Sequence, residues 1–191
     1  MPARHAPSVV HLAHAWIEPV LAPGTCVVDA TAGNGHDTLF LARGVAPHGV
    51  VHAFDIQARA LARARRRLAR AGPAARVIWH RASHARLARH LGEARPSAVM
   101  FNLGWLPGGD HGRITRPDGT ITALERAAAC LRPGGRISVV AYRGHAGGAE
   151  EDAAVAAWLQ SVHALTVLSP LPPEPRPTAP VLYRLERPSS G

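Results

Sequence analysis

Short apolar runs alternate with helix-like segments through most of the chain, and this alternation constrains the fold more than any other feature. Five runs are strand-like: residues 25–30, 49–56, 75–80, 97–105 and 136–142. The segments between them have helical patterns: residues 35–45, 57–72, 85–93 and 120–131. This alternation predicts a parallel sheet with helices on both faces. The nearly continuous apolar character of the strands fits burial on both sides.

The two ends of the chain add elements of a different kind. A helix is expected over residues 150–162, followed by an apolar run at 164–171, a proline-rich loop and a last run at 181–187. Because no helix separates these two runs, we expect them to pair antiparallel. An amphipathic helix over residues 8–21 precedes the first strand. The prediction is therefore one α/β domain over residues 1–191, with a mostly parallel sheet and a terminal strand pair within residues 164–187.

The first strand runs into a glycine turn, and its residues limit which ligand it could bind. In an open α/β sheet the ligand lies beyond the carboxyl ends of the strands. A dinucleotide fingerprint would need a third glycine at position 38, where Thr38 stands. A P-loop needs a lysine, and all 22 basic Lys or Arg residues of this chain are arginines. Both phosphate-binding interpretations are therefore weakened.

Two acidic residues at strand ends favour S-adenosylmethionine as the ligand. Asp55 leaves the second strand, where a carboxylate can accept hydrogen bonds from ribose hydroxyls. Asp29 begins the first turn, where its carboxylate suits a ligand with a cationic amino-acid group. Gly33 and Gly35 let the main chain approach such a ligand closely. S-adenosylmethionine combines a ribose, an ammonium and a sulfonium without phosphate. An ordinary glycine turn is the alternative.

The loop after the third strand contains Ser83 and His84, which we expect to flank the adenine of this cofactor. In α/β sheets of this architecture, the loop after the third strand usually lies beside the adenine. His84 taken alone could equally be a surface histidine.

The fourth strand ends in Asn102-Leu103-Gly104-Trp105, the spacing of the Asn-Pro-Pro-aromatic box of methyltransferases that act on amino nitrogens. An amide and a backbone carbonyl can accept hydrogen bonds from an amine and so aim its lone pair at a methyl group. Trp105 could stack on an extruded base or belong to the core. Asp110 and His111 follow, and either could take a proton from the amine or lie in a solvated turn.

A second glycine-containing loop follows the fifth strand. Tyr142 and His145 are placed to face the substrate. Glu150 and Glu151 open the next helix, where an acidic residue is favoured by the helix dipole, and this alone would explain Glu151.

The formal net charge of +9 favours a polyanionic partner, although a basic protein without one remains an alternative. The arginine-rich helix over residues 59–70 is expected to be a solvated outer helix, because its charges surround it except for a leucine stripe. Cys26 and Cys130 are expected to be reduced residues of the core. No leader segment, membrane span or metal site is expected, which favours a cytoplasmic location.

Four ordered motifs, "VVDATAGNGHDTLFLA", "FNLGWLPGGDH", the threonine-containing segment after it and "YRGHAGGAEE", resemble the YtqB-like family. The resemblance runs from about residue 9 to residue 160. Members of this family, long labelled rRNA methylases, methylate 5-aminomethyl-2-thiouridine at the tRNA wobble position. The resemblance implies a class I, Rossmann-like methyltransferase fold with a seven-stranded sheet, S-adenosylmethionine as cofactor, the tRNA anticodon stem-loop as partner and a homodimer.

The same resemblance implies roles for individual residues. Asn34, His36 and Asp37 look like cofactor contacts, Asp55 with Gln57 would hold the ribose, and Ser83 with His84 would lie on the adenine side. The acceptor surface would comprise Asn102, Gly104, Asp110, His111, Thr115, Thr122, Tyr142, His145 and Gly147. The segment before the last strand departs from the family, since it lacks the usual amide side chains, and no contact made by that tail is transferred. Methylation of rRNA or a small amine, and a non-catalytic RNA-binding module, are the alternatives.

Overall fold

The computed structural model describes residues 7–72, 74–104, 115–172 and 176–189. The strands are β1 (Cys26–Asp29), β2 (Val50–Phe54), β3 (Arg76–His80), β4 (Ala98–Leu103), β5 (Arg136–Ala141), β6 (Thr166–Leu171) and β7 (Val181–Glu186). The helices are α1 (Val9–Ile17), α2 (His36–Gly44), α3 (Ala58–Ala71), α4 (Leu87–Leu91), α5 (Pro117–Cys130) and α6 (Gly148–Ser161). Short 3-10 turns, Glu18–Val20 and His84–Arg86, follow α1 and precede α4.

The seven strands form one sheet in the order β3-β2-β1-β4-β5-β7-β6. Strands β1 to β5 are parallel, whereas β7 pairs antiparallel with both β5 and β6. The chain order reverses between β1 and β4, which are neighbours, so a crevice opens beyond their carboxyl ends. The predicted mostly parallel, seven-stranded sheet with an antiparallel last strand is confirmed.

Alternate residues of each strand supply two apolar cores, because successive strand side chains point to opposite faces. Val28 and Phe101 belong to the core beneath α4, α5 and α6. Val27 and Met100, their neighbours in sequence, belong to the core beneath α1 and α2. Both faces of the sheet are therefore covered by helices, as the continuous apolar strands predict.

Several helix boundaries differ from those predicted. The first helix ends at Ile17 rather than at residue 21, and residues 18–20 form a 3-10 turn instead. Helix α5 begins at Pro117 rather than near Thr120, because proline is well suited to the first turn of a helix, where no amide donor is required. Helix α4 is shorter than predicted and ends before Gly92, whose positive φ of 58° stops it. Cys26 and Cys130 are both free thiols, as expected of core residues. Within the described ranges, no helix combines the length and apolar character needed to cross a membrane.

Candidate functional site

A cavity of about 1170 Å³ lies at the carboxyl edge of the sheet. The turn after β1, the ends of β2 and β4, residues 82–84, the start of α5 and one side of α1 line it. All ten residues predicted for the cofactor, and seven of the ten predicted for catalysis or for the substrate, fall within the described ranges and can be compared with this cavity one by one.

Gly33 and Asp55 join the first two strand ends at one side of the cavity. The Gly33 amide donates to Asp55 Oδ2 at 2.9 Å, and the Gln57 amide donates to Asp55 Oδ1 at 2.7 Å. Burial raises the pKa of Asp55, and these two amide hydrogen bonds oppose the rise. Each carboxylate oxygen retains a further lone pair, so Asp55 can accept hydrogen bonds from two ribose hydroxyls. Gln57, Asn34 and His36 also line this side.

Two of the residues predicted to bind the cofactor do not line the cavity. Asp29 is fully buried beneath the turn, where it accepts hydrogen bonds from the Thr31 amide and the Thr38 hydroxyl. Burial, followed by the neighbouring Asp37 carboxylate, raises the pKa of Asp29. Gly35 has a positive φ of 79°, and a Cβ there would lie 2.7 Å from the Ala64 backbone. Asp29 therefore stabilises the turn through hydrogen bonds on its buried side. The missing side chain of Gly35 allows α3 to pack closely against the turn.

Ser83 and His84, which were predicted for the adenine side, lie on the cavity wall. Ser83 accepts a hydrogen bond from the Ala85 amide and so begins the 3-10 turn. His84 is buried, with Nδ1 3.3 Å from the Ala30 carbonyl oxygen, and its burial lowers its pKa. A neutral His84 beside the exposed Ile56 gives this wall the apolar character that an adenine ring requires.

Asn102, Asp37 and His14 form a hydrogen-bonded chain, and all three line the cavity. The Asn102 amide nitrogen donates to Asp37 Oδ2, and His14 Nε2 lies 2.6 Å from Asp37 Oδ1. Because a carboxylate only accepts hydrogen bonds, the Asn102 NH2 group faces Asp37 and the amide oxygen faces away. That oxygen is buried and has no hydrogen-bond partner among the described residues. An amine donor from a substrate would satisfy it.

Thr115 and Gly104, both predicted for the acceptor side, are hydrogen-bonded to each other on the cavity wall. The Thr115 hydroxyl accepts a hydrogen bond from the Gly104 amide at 3.0 Å and donates to Glu151 Oε2. The Thr120 hydroxyl donates to Glu151 Oε1 at 2.5 Å. Glu151 is only 2% exposed, so the interpretation of it as a simple helix-start residue is wrong: it holds two hydroxyls, one of which lines the cavity.

The remaining predicted acceptor residues have different positions. Tyr142 lines the cavity, and burial together with the nearby Asp37 carboxylate raises its pKa. His145 does not line it; a Cβ on Gly104 would lie 2.9 Å from His145 Nε2, so the two residues pack closely. Gly147 begins α6 with a φ of 81°, and Thr122 lies on α5 away from the lining. The predicted Trp105, Asp110 and His111 lie outside the described residues.

The arginine-rich helix α3 is adjacent to the glycine turn. Arg67 Nε donates to the Asn34 carbonyl at 2.8 Å, and Arg66 and Arg70 are exposed beside it in a shallow groove. Arg65 lies over the Trp79 ring at 5.7 Å. The helix was expected to be a solvated outer helix, and this holds only in part. Its Arg67 makes a hydrogen bond to the turn that lines the cavity. Among the described residues, no group of three or more histidine, cysteine or acidic side chains is arranged to hold a metal ion.

Sequence reasoning missed His14, which lies in the N-terminal helix far from every motif. Its only signal is a histidine within an apolar helical stripe, and most such histidines have no catalytic role. Glu151 was noticed but explained by its helix position alone.

The sheet order and the position of the cavity define the fold of class I S-adenosylmethionine-dependent methyltransferases, and comparison with known proteins agrees. The crystal structure of a putative rRNA-methylase from Clostridium thermocellum is 35% identical, covers 96% of this chain and 100% of its own, and has a TM-score of 0.87. That of SMU.1697c, a putative methyltransferase from Streptococcus mutans in complex with SAH, is 31% identical, covers 95% and 99% respectively, and has a TM-score of 0.83.

Residues 51–180 match the model of the family described as "Putative rRNA methylase", and the chain belongs to that family. An Arabidopsis thaliana protein named tRNA (mnm(5)s(2)U34)-methyltransferase, chloroplastic, is 40% identical over 149 residues, which are 73% of this chain. The matched region is 54% of the plant protein, so the chain spans about half the length of that relative. The family predicted from the motifs is confirmed.

Proposed function

We propose that this chain methylates the amino nitrogen of 5-aminomethyl-2-thiouridine at the wobble position of tRNA, with S-adenosylmethionine as methyl donor. The observation that carries the proposal is Asn102 at the end of β4. Its amide nitrogen is bound by Asp37, and its buried oxygen has no partner among the described residues. An N–H donor at this point of the cavity is the group that such an oxygen requires.

The residues present fit the proposed cofactor. Asp55 offers two carboxylate oxygens at the end of β2, Gly33 leaves room for close approach of the backbone, and neutral His84 lines an apolar wall. The cofactor would supply an electrophilic methyl group on a sulfonium. The chain would bind it, orient the acceptor nitrogen through Asn102 and exclude water from the buried contact.

The choice of acceptor has two supports. One is the Arabidopsis relative, whose name specifies mnm(5)s(2)U34 in tRNA. The other is the basic character of the chain, with a formal net charge of +9 and exposed arginines on α3 beside the glycine turn. Phosphates of an RNA would be attracted to such a field.

Nucleoside mass spectrometry tests the proposal directly. The purified chain is incubated with labelled S-adenosylmethionine and bulk tRNA from a strain that lacks this methylation. We expect label in 5-methylaminomethyl-2-thiouridine. If cofactor binds but no tRNA nucleoside is labelled, the substrate is wrong, and rRNA or a small amine becomes the acceptor to test. If cofactor does not bind, the chain is a non-catalytic RNA-binding module.

Two alanine variants separate the two sides of the cavity. We expect Asp55→Ala to weaken cofactor binding by roughly 10-fold or more, because it removes two charge-assisted hydrogen bonds. We expect Asn102→Ala to lower turnover by about 100-fold with cofactor affinity nearly intact, because it removes the acceptor-orienting group. Isothermal titration with S-adenosylhomocysteine and single-turnover kinetics measure the two effects. An equal loss of cofactor in both variants would show that these roles are wrongly assigned.

Four further parts of the proposal are predictions, each of which needs its own test. They are a homodimer, recognition of the anticodon stem-loop, a cytoplasmic location and a single domain over residues 1–191. All seven strands share one sheet, which supports the last of these.

A further inference from the structure

We propose that His14 takes the proton from the acceptor amine, and that Asp37 positions the His14 ring for this step. The inference rests on the proposed function, since it needs an amine acceptor. An alkylammonium has no free lone pair, so the nitrogen must lose a proton before it can attack a methyl group. The chain must therefore offer a proton acceptor close to Asn102.

The geometry around Asp37 brings a suitable acceptor there. Asp37 is 7% exposed, and its two oxygens receive the Asn102 amide and His14 Nε2. Because the carboxylate accepts, Nε2 of His14 carries the proton and Nδ1 carries the lone pair. A carboxylate that fixes the tautomer of a histidine base is the arrangement used in the serine-protease triad.

The His14 ring is also fixed sterically. It stacks on Phe40 of α2, with ring centroids 3.9 Å apart and planes within 2° of parallel. The side chain is 24% exposed, and the residue lines the cavity together with Asn102. His14 therefore has one nitrogen bound by the protein, a packed ring face and access to the cavity, as a base for a bound substrate requires.

The charged and titratable groups around His14 come from three elements. Asp37 and His36 lie on α2. Burial lowers the pKa of His36, and the charges of Arg67 and, less strongly, His14 lower it further. The Asp37 carboxylate raises the pKa of His36. Tyr142 follows β5, and Asp37 contributes to its raised pKa. On α1 itself, His11 is the other histidine at the cavity, and its Nδ1 lies 2.9 Å from the Ser8 hydroxyl oxygen. Among these histidines of the described cavity wall, His14 alone has a hydrogen bond to a carboxylate.

The reaction balances with His14 as base. The substrate ammonium gives one proton to His14 Nδ1 and becomes a neutral amine. Its lone pair attacks the sulfonium methyl carbon, so a C–N bond forms while the C–S bond breaks and its electron pair goes to sulfur. The product leaves as a secondary ammonium, and the imidazolium of His14 releases its proton to water.

The test compares His14→Gln with His11→Gln, a change of the same kind one turn earlier on the same helix. Glutamine can still donate to Asp37 but cannot take a proton at neutral pH. For His14→Gln we expect kcat at pH 7 to fall about 100-fold. Affinity for S-adenosylhomocysteine should stay within about threefold. For His11→Gln we expect less than about a threefold change in kcat.

Two readouts distinguish a base from a structural residue. The rate of His14→Gln should climb with pH up to the pKa of the substrate amine, so that its defect shrinks in alkali. Added imidazole should restore activity to His14→Ala and not to Asn102→Ala. A defect that is equal at every pH, together with no rescue by imidazole, would overturn the proposal and leave His14 a packing residue.

A third readout does not depend on activity. Imidazole nitrogen NMR of the cofactor-free protein should show that the neutral form of His14 carries its proton on Nε2, and a proton on Nδ1 in that form would overturn the inference. An active native chain with an equally active His14→Gln would overturn this inference alone. A native chain that binds cofactor but methylates no aminomethyl nucleoside would overturn it together with the proposed function.

Discussion

Two groups of histidines in this chain have opposite surroundings. His14 is bound to the Asp37 carboxylate at the cavity, whereas His52, His80 and His90 pack on one another outside the cavity lining. His52 Nδ1 lies 3.0 Å from His80 Nε2, and the His80 and His90 ring centroids are 4.5 Å apart. Burial and the neighbouring histidines lower the pKa of His52 and that of His80, the latter to about 4.

The difference shows that the partner, and not the residue type, decides what a histidine does. A neutral histidine among aromatic and histidine rings serves as a flat, half-polar packing group. A histidine held by a carboxylate has a fixed tautomer, so its other ring nitrogen is a defined proton acceptor. The chain contains 12 histidines, and its sequence does not distinguish these two surroundings.

Removing the carboxylate should make His14 resemble the packed histidines, and this is the largest effect we expect. Asp37→Asn should lower the rate of methyl transfer by about 100-fold or more, because one amide oxygen replaces the two carboxylate oxygens and His14 and Asn102 cannot both keep an acceptor. Single-turnover kinetics with saturating cofactor measures it. Asp118→Asn, an exposed acid elsewhere on the cavity wall, is the matched control and should stay within about threefold. Comparable losses in the two variants would mean that net charge, not orientation, matters.

Glu151 is a second buried carboxylate, and we expect its replacement to have a smaller effect than that of Asp37. Glu151→Gln should lower kcat/KM for the RNA acceptor by roughly 10-fold, because one amide oxygen replaces two acceptors and a buried hydroxyl loses its partner. Cofactor affinity should not change, since Glu151 acts only through Thr115 and Thr120. The exposed neighbour Glu150 supplies the control, Glu150→Gln. Equal kinetics in these two variants would contradict a role for Glu151 in the acceptor side.

The packed histidines should affect stability and not catalysis, and this effect is the smallest. The folded-state pKa values of His52 and His80 lie below the ordinary value, that of His80 at about 4, so the unfolded chain binds more protons than the folded chain as the pH falls from about 6.5 toward 4. Their contribution to the free energy of unfolding is thus complete above pH 6.5 and is lost as the pH falls through this window. The urea midpoint of the native chain should drop between pH 7 and pH 5.

The variant His80→Phe tests the source of that drop. Phenylalanine retains the ring contacts and cannot take a proton, so the midpoint should fall less on acidification than in the native chain. The control is His163→Phe, at an exposed site. Its urea midpoint should fall on acidification by as much as that of the native chain. Identical pH profiles of native chain and His80→Phe would place the acid sensitivity elsewhere.

The residues of the cavity differ in how far sequence could predict them. Asp55, Asn34, Ser83 and Asn102 follow strands whose apolar pattern is unambiguous, and the ends of parallel strands must meet at one edge. His14 could not be predicted, because only the packing of α1 beside α2 brings it to Asp37, and helical periodicity does not reveal which partner a helix meets. Gly35 was predicted to bind the cofactor, but it is a glycine because a side chain there would collide with Ala64. The sequence of a glycine turn does not show whether a ligand or a neighbouring helix requires the missing side chain.

Gly104 and Thr115 form a closed junction at the sheet edge, and hydrogen bonds continue from it to α6. The Gly104 amide donates to the Thr115 hydroxyl, the Thr115 amide donates to the Gly104 carbonyl, and the Thr115 hydroxyl donates to Glu151. One hydroxyl thus connects a strand end with a helix start, and both Gly104 and Thr115 line the cavity. A residue without a hydroxyl at position 115 would therefore change the cavity surface and disconnect β4 from α6 in a single substitution.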